Sequence, residues 1–195
     1  MSPAEYIQAA RQIGSRGLKI RTLELGVTEH PNSAPLLMEA AVERIKAANK
    51  WPARARRNLL RAGAHLTSAS RAIDKSDAQS HFRLGRIQRR AGFFEDSEIS
   101  FTRSLEIDPL QGGAVLELAR LYQLWGQPDR IPSLLIGYQR AADRRQIPLE
   151  ECDSRVINLW TEFLRLQGNI ELDPKSADPI RGRREVVLRA GILAT

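Results

Sequence analysis

Few residues in this sequence have a type and spacing that could carry chemistry. The three histidines, His30, His65 and His81, are the first candidates for general bases or metal ligands. None has a cysteine, serine or second histidine at the spacing that a metal site or a nucleophile–base pair requires. The phosphate-loop, zinc-protease, nucleophile-elbow and dinucleotide-binding signatures do not occur either. We therefore predict structural roles for the histidines, and a non-enzymatic protein with no cofactor and no bound metal.

Adjacent acids and a lone cysteine do not change this expectation. The pairs Glu95-Asp96 and Glu150-Glu151 are sequence neighbours, which do not face each other on a helix. Cys152 is the single cysteine, so one chain cannot form an internal disulfide or a multi-cysteine metal site. No segment resembles a secretory signal, and no apolar run approaches the roughly 20 residues that cross a bilayer. We expect a cytoplasmic protein without a membrane span.

The charge of the chain is strongly positive. It has 25 arginines and 5 lysines against 23 acidic residues, a formal net charge of +7. This balance favours anionic partners, such as acidic peptides, nucleic acid or lipid headgroups. The excess of arginine over lysine is also what a GC-rich genome produces, so part of it carries no functional meaning.

The elements that must position these charges are predicted to be helices. Apolar residues recur at helical spacing, and alternating apolar and polar runs typical of strands are absent. We predict breaks between helices at 28–35, 67–78, 108–113 and 145–154. Helix pairs with such short connections pack as antiparallel neighbours.

One stretch, 78–111, places small residues among the apolar positions of two helices. Gly85, Gly92, Ser97 and Ser104 are poor helix formers, and each glycine costs a helix interior about 1 kcal/mol. We predict that Gly85 and Ser97 lie where the two helices cross, that Ser104 lies where the next unit stacks, and that Gly92 makes the turn. Phe94 then begins the second helix.

This stretch resembles a tetratricopeptide repeat (TPR), whose pattern is W-x2-L-G-x2-Y…A-x3-F…P. The matching positions are His81, Leu84, Gly85, Gln88, Ser97, Phe101 and Pro109. His81 and Gln88 depart from the usual aromatic residues. The next 34 residues fit in phase, with Leu118, Ala119 and Tyr122 on the first helix, and Pro128 and Pro132 at or just before the start of the second.

The resemblance implies an all-α fold, a right-handed α-solenoid of stacked helix-turn-helix repeats in one domain over residues 1–195. The alternative is a helical bundle without repeats. The expected repeats lie at about 1–33, 34–67, 78–111 and 112–145, with a half-repeat at 154–168 and a C-terminal helix at 179–190.

In TPR arrays the first helix of each repeat lines a concave groove that commonly holds extended or helical peptides. The resemblance assigns groove-facing places to Arg44, Arg83, Arg86, Arg90, Glu117, Arg120, Gln123, Arg155 and Asn158. Guanidiniums in a row could form bidentate contacts with carboxylates or phosphates. The alternative is a solvated charged face, partly neutralised by Glu117 and Glu162.

Two functions from different classes follow. The leading one is a non-catalytic adaptor that binds an acidic or extended segment of a partner protein in an arginine-rich concave groove. The alternative is a substrate- or partner-presenting TPR arm of a bacterial sulfotransferase or glycosyltransferase system, with the catalytic domain absent, because 17–60 resembles such arms. Nucleic acid is a third, less favoured partner. The sequence leaves the partner's identity and the oligomeric state open.

Overall fold

The structure, a computed structural model, describes residues 1–148 and 151–166. Within them it is all-helical with no strand, which confirms the predicted fold class. Its α-helices are α1 (Pro3–Gln12), α2 (Arg16–Glu29), α3 (Ala34–Lys50), α4 (Ala55–Ala72), α5 (Ala78–Ala91), α6 (Phe94–Ile107), α7 (Gly112–Leu124), α8 (Ile131–Arg144) and α9 (Ser154–Leu166). Short 3-10 turns at Pro52–Arg54 and Pro128–Arg130 precede α4 and α8. The predicted terminal helix at 179–190 and the end of the half-repeat lie outside the described residues.

The chain divides into two compact units, Met1–Arg103 and a second that starts at Ser104. In the first unit α3 packs against α1, α2, α4 and α5. In the second unit α7 packs against both α8 and α9. Within the first unit, α3 therefore contacts α1 and α5 as well as its sequence neighbours α2 and α4, as helices in stacked helix-turn-helix units do.

The core of the first unit is built on two faces of α3. Leu36 and Ala40 pack with Tyr6 and Ala10 of α1 and Leu23 of α2. On its other face, α3 contributes residues to a cluster with α4 and α5, formed by Ala34, Leu37, Met38, Ala41, Ala62, Leu66, Ala69, Ile73 and Leu84. Burial on two faces makes α3 the helix that joins α1 and α5 into one body.

The helices α5 and α6 cross at the small residues that the sequence singled out. The Ser97 hydroxyl donates a 2.9 Å hydrogen bond to the Gly85 carbonyl, and both residues are buried. A Cβ added to Gly85 would lie 2.7 Å from Cδ1 of Phe101, closer than carbon atoms approach. Gly92 has φ +82°, the left-handed conformation that favours glycine in a turn. The predicted roles of Gly85, Ser97 and Gly92 are confirmed.

The predicted break at 67–78 is wrong over its first half, because α4 continues to Ala72. Leu66 and Ala69 keep the helical spacing and are buried. The hydroxyl of Thr67 donates to the Gly63 carbonyl four residues earlier at 3.0 Å, so this polar residue is accommodated within the helix. The break itself is short, and Asp77 caps the start of α5 by accepting from the Ser80 N–H at 2.9 Å.

In the second unit both prolines lie where a helix tolerates them. Pro132 falls in the first turn of α8, and Pro128 begins the 3-10 turn before it, as predicted. The hydroxyl of Ser104 bonds to the side chain of Gln111, just before α7. Among the described helices, none combines the length and the apolar character that crossing a bilayer requires.

Candidate functional site

The first unit contains a pocket of about 300 Å³ between the helices α1, α3 and α5. The lining residues are Ile7 and Arg11 from α1, Pro35, Met38 and Glu39 from α3, and Arg83, Arg86, Ile87 and Arg90 from α5. We call this the α1–α3–α5 pocket. It brings together three of the predicted groove residues, Arg83, Arg86 and Arg90.

The pocket face of α5 follows from helical spacing. Arg83, Ile87 and Arg90 are separated by four and three residues, so they share one face, and Arg86 is adjacent. The face toward α6 carries Gly85, which lies against Phe101, and Gln88, which accepts a hydrogen bond from Ser100. Close packing on Gly85 therefore orients α5 and directs its basic face toward α1 and α3.

The charge in the pocket is strongly positive. Four guanidiniums face one carboxylate, Glu39, whose Oε1 lies 3.9 Å from Nε of Arg11. The exposed Arg83 and Arg90 form no ion pair with any residue in the described part of the chain. Arg86 lies over the ring of Phe82, with its guanidinium carbon 5.6 Å from the ring centre. Two of the four positive charges are therefore uncompensated, and a third rests on an aromatic ring.

Arg44, also assigned to the groove, makes its polar contacts inside the first unit instead. Its Nε and Nη2 donate to Oε1 of Glu24 at 2.9 and 2.8 Å, and its Nη1 donates to Oδ1 of Asn58 at 3.1 Å. Only 14% of its side chain is exposed. The guanidinium joins α2, α3 and α4 and is not available to a ligand, so Arg44 does not belong to the pocket.

His65 belongs to the same partly buried cluster. Its Nε2 lies 3.0 Å from Oε1 of Glu24, and 13% of its side chain is exposed. The predicted break at 67–78 would place His65 near the end of a helix, but α4 runs on for seven residues beyond it, to Ala72. The hydrogen bond with His65, together with that from Arg44, lowers the pKa of Glu24 to about 2 against burial, which acts in the opposite direction.

The remaining candidates lie in the second unit. Arg120 donates to Glu117 at 3.1 Å, and Arg155 donates to both carboxylate oxygens of Asp153 at 3.0 and 2.7 Å. Gln123 and Asn158 are exposed on α7 and α9. Local carboxylates therefore neutralise Arg120 and Arg155, in contrast to Arg83 and Arg90.

Sequence reasoning missed six of the pocket residues: Ile7, Arg11, Pro35, Met38, Glu39 and Ile87. One sequence feature could have pointed to these residues, because α1 and α3, like α5, are the first helices of their pairs. The repeat pattern is weak there, and it does not tell which residues of α1 and α3 face α5.

His81 and His30 differ in their burial and in their contacts. His81 is buried, and its Nε2 has no hydrogen-bond partner in the part of the chain that the structure describes. Burial lowers the pKa of His81 below its usual 6.5, and the nearby charge of Arg103 acts in the same direction. The Nε2 of His30 lies 2.6 Å from the Met1 carbonyl oxygen. Over residues 1–148 and 151–166, no three His, Cys, Asp or Glu side chains are grouped as a metal site would need.

Replacing His81 with phenylalanine should stabilise the protein, because it removes a buried polar atom without a partner. We expect a gain of about 1–2 kcal/mol in the free energy of unfolding at neutral pH. Since the folded state binds the His81 proton more weakly than the unfolded state, the wild type should lose stability as pH falls below about 6.5. Urea denaturation at pH 8 and pH 5 measures both effects. If the wild type and His81→Phe lost equal stability between pH 8 and pH 5, the pH dependence could not be assigned to His81.

No family model and no curated protein matches the chain. Among solved structures, 23 chains match. One of them is MamA MSR-1 C2, a TPR-containing protein, with a TM-score of 0.51 and 15% sequence identity over 74% of this chain and 79% of that chain. At this identity the similarity concerns the fold alone, and that fold is a TPR-like helical repeat.

Proposed function

Starting from a TPR-like fold with an arginine-rich pocket, we propose that this chain is a non-catalytic interaction module that binds an acidic segment of a partner protein. The α1–α3–α5 pocket is the proposed binding site. The observation that supports it is the imbalance of four guanidiniums and one carboxylate on a concave surface. By contrast, Arg120 and Arg155 of the second unit pair with Glu117 and Asp153.

The chemistry of the pocket suits carboxylates. The guanidinium fork donates two parallel hydrogen bonds to one carboxylate, which gives both strength and orientation. The first turn of α3, which begins at Ala34, contributes Pro35 to the lining, so the positive end of this helix also lies at the pocket. Charges fixed on three packed helices need little reordering when a ligand binds.

A protein segment suits this site better than a nucleic acid. Ile7, Pro35, Met38 and Ile87 supply an apolar part that phosphate groups cannot use. A groove for single-stranded nucleic acid instead combines a basic track with aromatic rings on which bases stack. No aromatic residue lines this pocket within the described chain. The transferase-arm alternative, with the cytoplasmic location, stays a prediction from the sequence.

The double variant Arg83→Glu/Arg90→Glu should abolish binding of an acidic peptide. A fluorescein-labelled, glutamate-rich peptide is titrated with the full chain, and binding is followed by fluorescence anisotropy. Each charge-assisted contact that is lost should weaken binding about tenfold or more. For the wild type, affinity should fall as salt is raised.

The matched control is Arg57→Glu/Arg61→Glu, which changes the charge equally at two exposed residues of α4 away from the pocket. It should bind the peptide nearly as well as the wild type, and both variants should keep the helical circular dichroism. If the two double variants weakened peptide binding equally, the interaction would depend only on the net charge of the chain, and a localised site would be refuted. A DNA oligonucleotide that binds more tightly than the peptide would favour the nucleic-acid alternative.

A further inference from the structure

We infer that the acidic segment bound in the α1–α3–α5 pocket is a helix with one aliphatic side chain placed between two carboxylates on the same face. This inference rests on the proposed function and adds the chemistry and geometry of the ligand. Its basis is the order of residues along α5, which is basic, apolar, basic at Arg83, Ile87 and Arg90.

The apolar part of the pocket calls for an aliphatic side chain. Met38 is only 8% exposed yet reaches the pocket, and the half-buried Ile7 and Ile87 lie beside it. A purely acidic segment would bring its carboxylates against this apolar surface. Those carboxylates would lose their water of hydration without gaining a hydrogen bond, which is unfavourable. An aliphatic side chain of the ligand would cover the same apolar surface, and the removal of that surface from water would favour binding. Methionine, being unbranched and flexible, adapts to the shape of such a side chain.

The size of the pocket limits what enters it. Sites for whole small molecules run from about 300 to 1,000 Å³. At about 300 Å³, the α1–α3–α5 pocket is at the bottom of this range. It therefore suits one anchoring side chain, with the rest of the ligand lying across the rim where Arg83 and Arg90 are exposed.

The spacing of the two rim arginines favours a helix as ligand. Seven residues of α5 separate Arg83 from Arg90, which is about 10.5 Å along the helix axis. Acidic residues seven apart on a ligand helix have the same separation and share one face, with an aliphatic residue four after the first lying between them. In an extended ligand, residues on one face recur about every 6.7 Å. Neighbouring residues on that face are therefore too close together to match the separation of Arg83 and Arg90, and the next ones are too far apart.

Three labelled alanine-based peptides of about 20 residues, long enough to form helix in water, test this inference by fluorescence anisotropy with the full chain. In the matched peptide, eight consecutive residues at the centre carry Glu at the first position, Leu at the fifth and Glu at the eighth. The second has alanine in place of the leucine. The third has the same composition, with the leucine moved to the opposite face. We expect the matched peptide to bind about tenfold more tightly than either of the others.

Two variants of the chain locate the effect. Ile87→Ala should remove most of the preference for leucine over alanine in the peptide, whereas Ile99→Ala, on an exposed residue of α6, should leave it unchanged. Thermal melts establish that both variants are folded.

The outcomes separate the inference from the proposed function. Equal binding of all three peptides, still dependent on Arg83 and Arg90, would overturn the inference and leave the acidic-segment function intact. Tight binding by the third peptide would overturn the predicted spacing. If none of the three peptides binds while the glutamate-rich peptide does, the inference alone is overturned; if the glutamate-rich peptide does not bind either, the proposed function fails as well.

Discussion

Replacing Gly85 with leucine should destabilise the protein by about 1–3 kcal/mol, although leucine is a much better helix former than glycine. A Cβ at this position would lie 2.7 and 2.8 Å from Cδ1 and Cε1 of Phe101, a ring that is itself fully buried. The ring cannot retreat into solvent, so α5 and α6 must separate. Separation also lengthens the bond from the Ser97 hydroxyl to the Gly85 carbonyl. Urea denaturation followed by circular dichroism measures the change.

Gly137→Leu is the matched control for this substitution. Gly137 lies on an exposed face of α8, and a Cβ there meets no atom within 4 Å. At this position only helix propensity matters, so the free energy of unfolding should rise by about several tenths of a kcal/mol in Gly137→Leu. The two substitutions should therefore differ in sign. An unchanged midpoint in Gly85→Leu would mean that the helices do not cross closely at this residue.

The second large effect is expected at Glu24, whose carboxylate holds Arg44 and His65 in the interior of the first unit. Glu24→Gln should cost about 1–3 kcal/mol at neutral pH, because a neutral amide leaves the partly buried guanidinium of Arg44 without a counter-charge. The pKa of Glu24 is lowered to about 2 in the folded protein, from a usual value of 4.5. The stabilisation is thus complete above about pH 5 and is lost as pH falls toward 2.

Denaturation of the wild type and of Glu24→Gln at pH 7 and at pH 3 tests this directly. The gap in unfolding free energy between the two proteins should narrow at the lower pH, since the unfolded wild type then takes up a proton that the variant cannot. Asp143→Asn, at an exposed residue of α8, should change stability by less than about 0.5 kcal/mol at either pH. A gap that stays constant with pH would show that the carboxylate of Glu24 is not held in its charged form.

These two sites differ in how far the sequence predicts them. The crossing at Gly85 is local: the spacing of Gly85, Ser97 and Phe101 within one 34-residue repeat already implies that small residues face a large one. The cluster at Glu24 depends on residues from three helices that are up to 41 positions apart. The resemblance to a TPR assigned Arg44 a groove-facing place, but it could not indicate that Glu24 of α2 would pair with its guanidinium.

The helical class, the repeat register over 78–111, the turn at Gly92 and the shared face of Arg83, Arg86 and Arg90 could all be predicted before the fold was known. Each depends on periodicity and backbone preference within a few turns of chain. Which charges remain unpaired, and which apolar residues complete the pocket, depends on contacts between helices that are distant in sequence. Arg83 and Arg90 keep their charge uncompensated, whereas Arg44 does not, because neutralisation depends on the side chains that packing brings within hydrogen-bond distance, and those side chains belong to other helices.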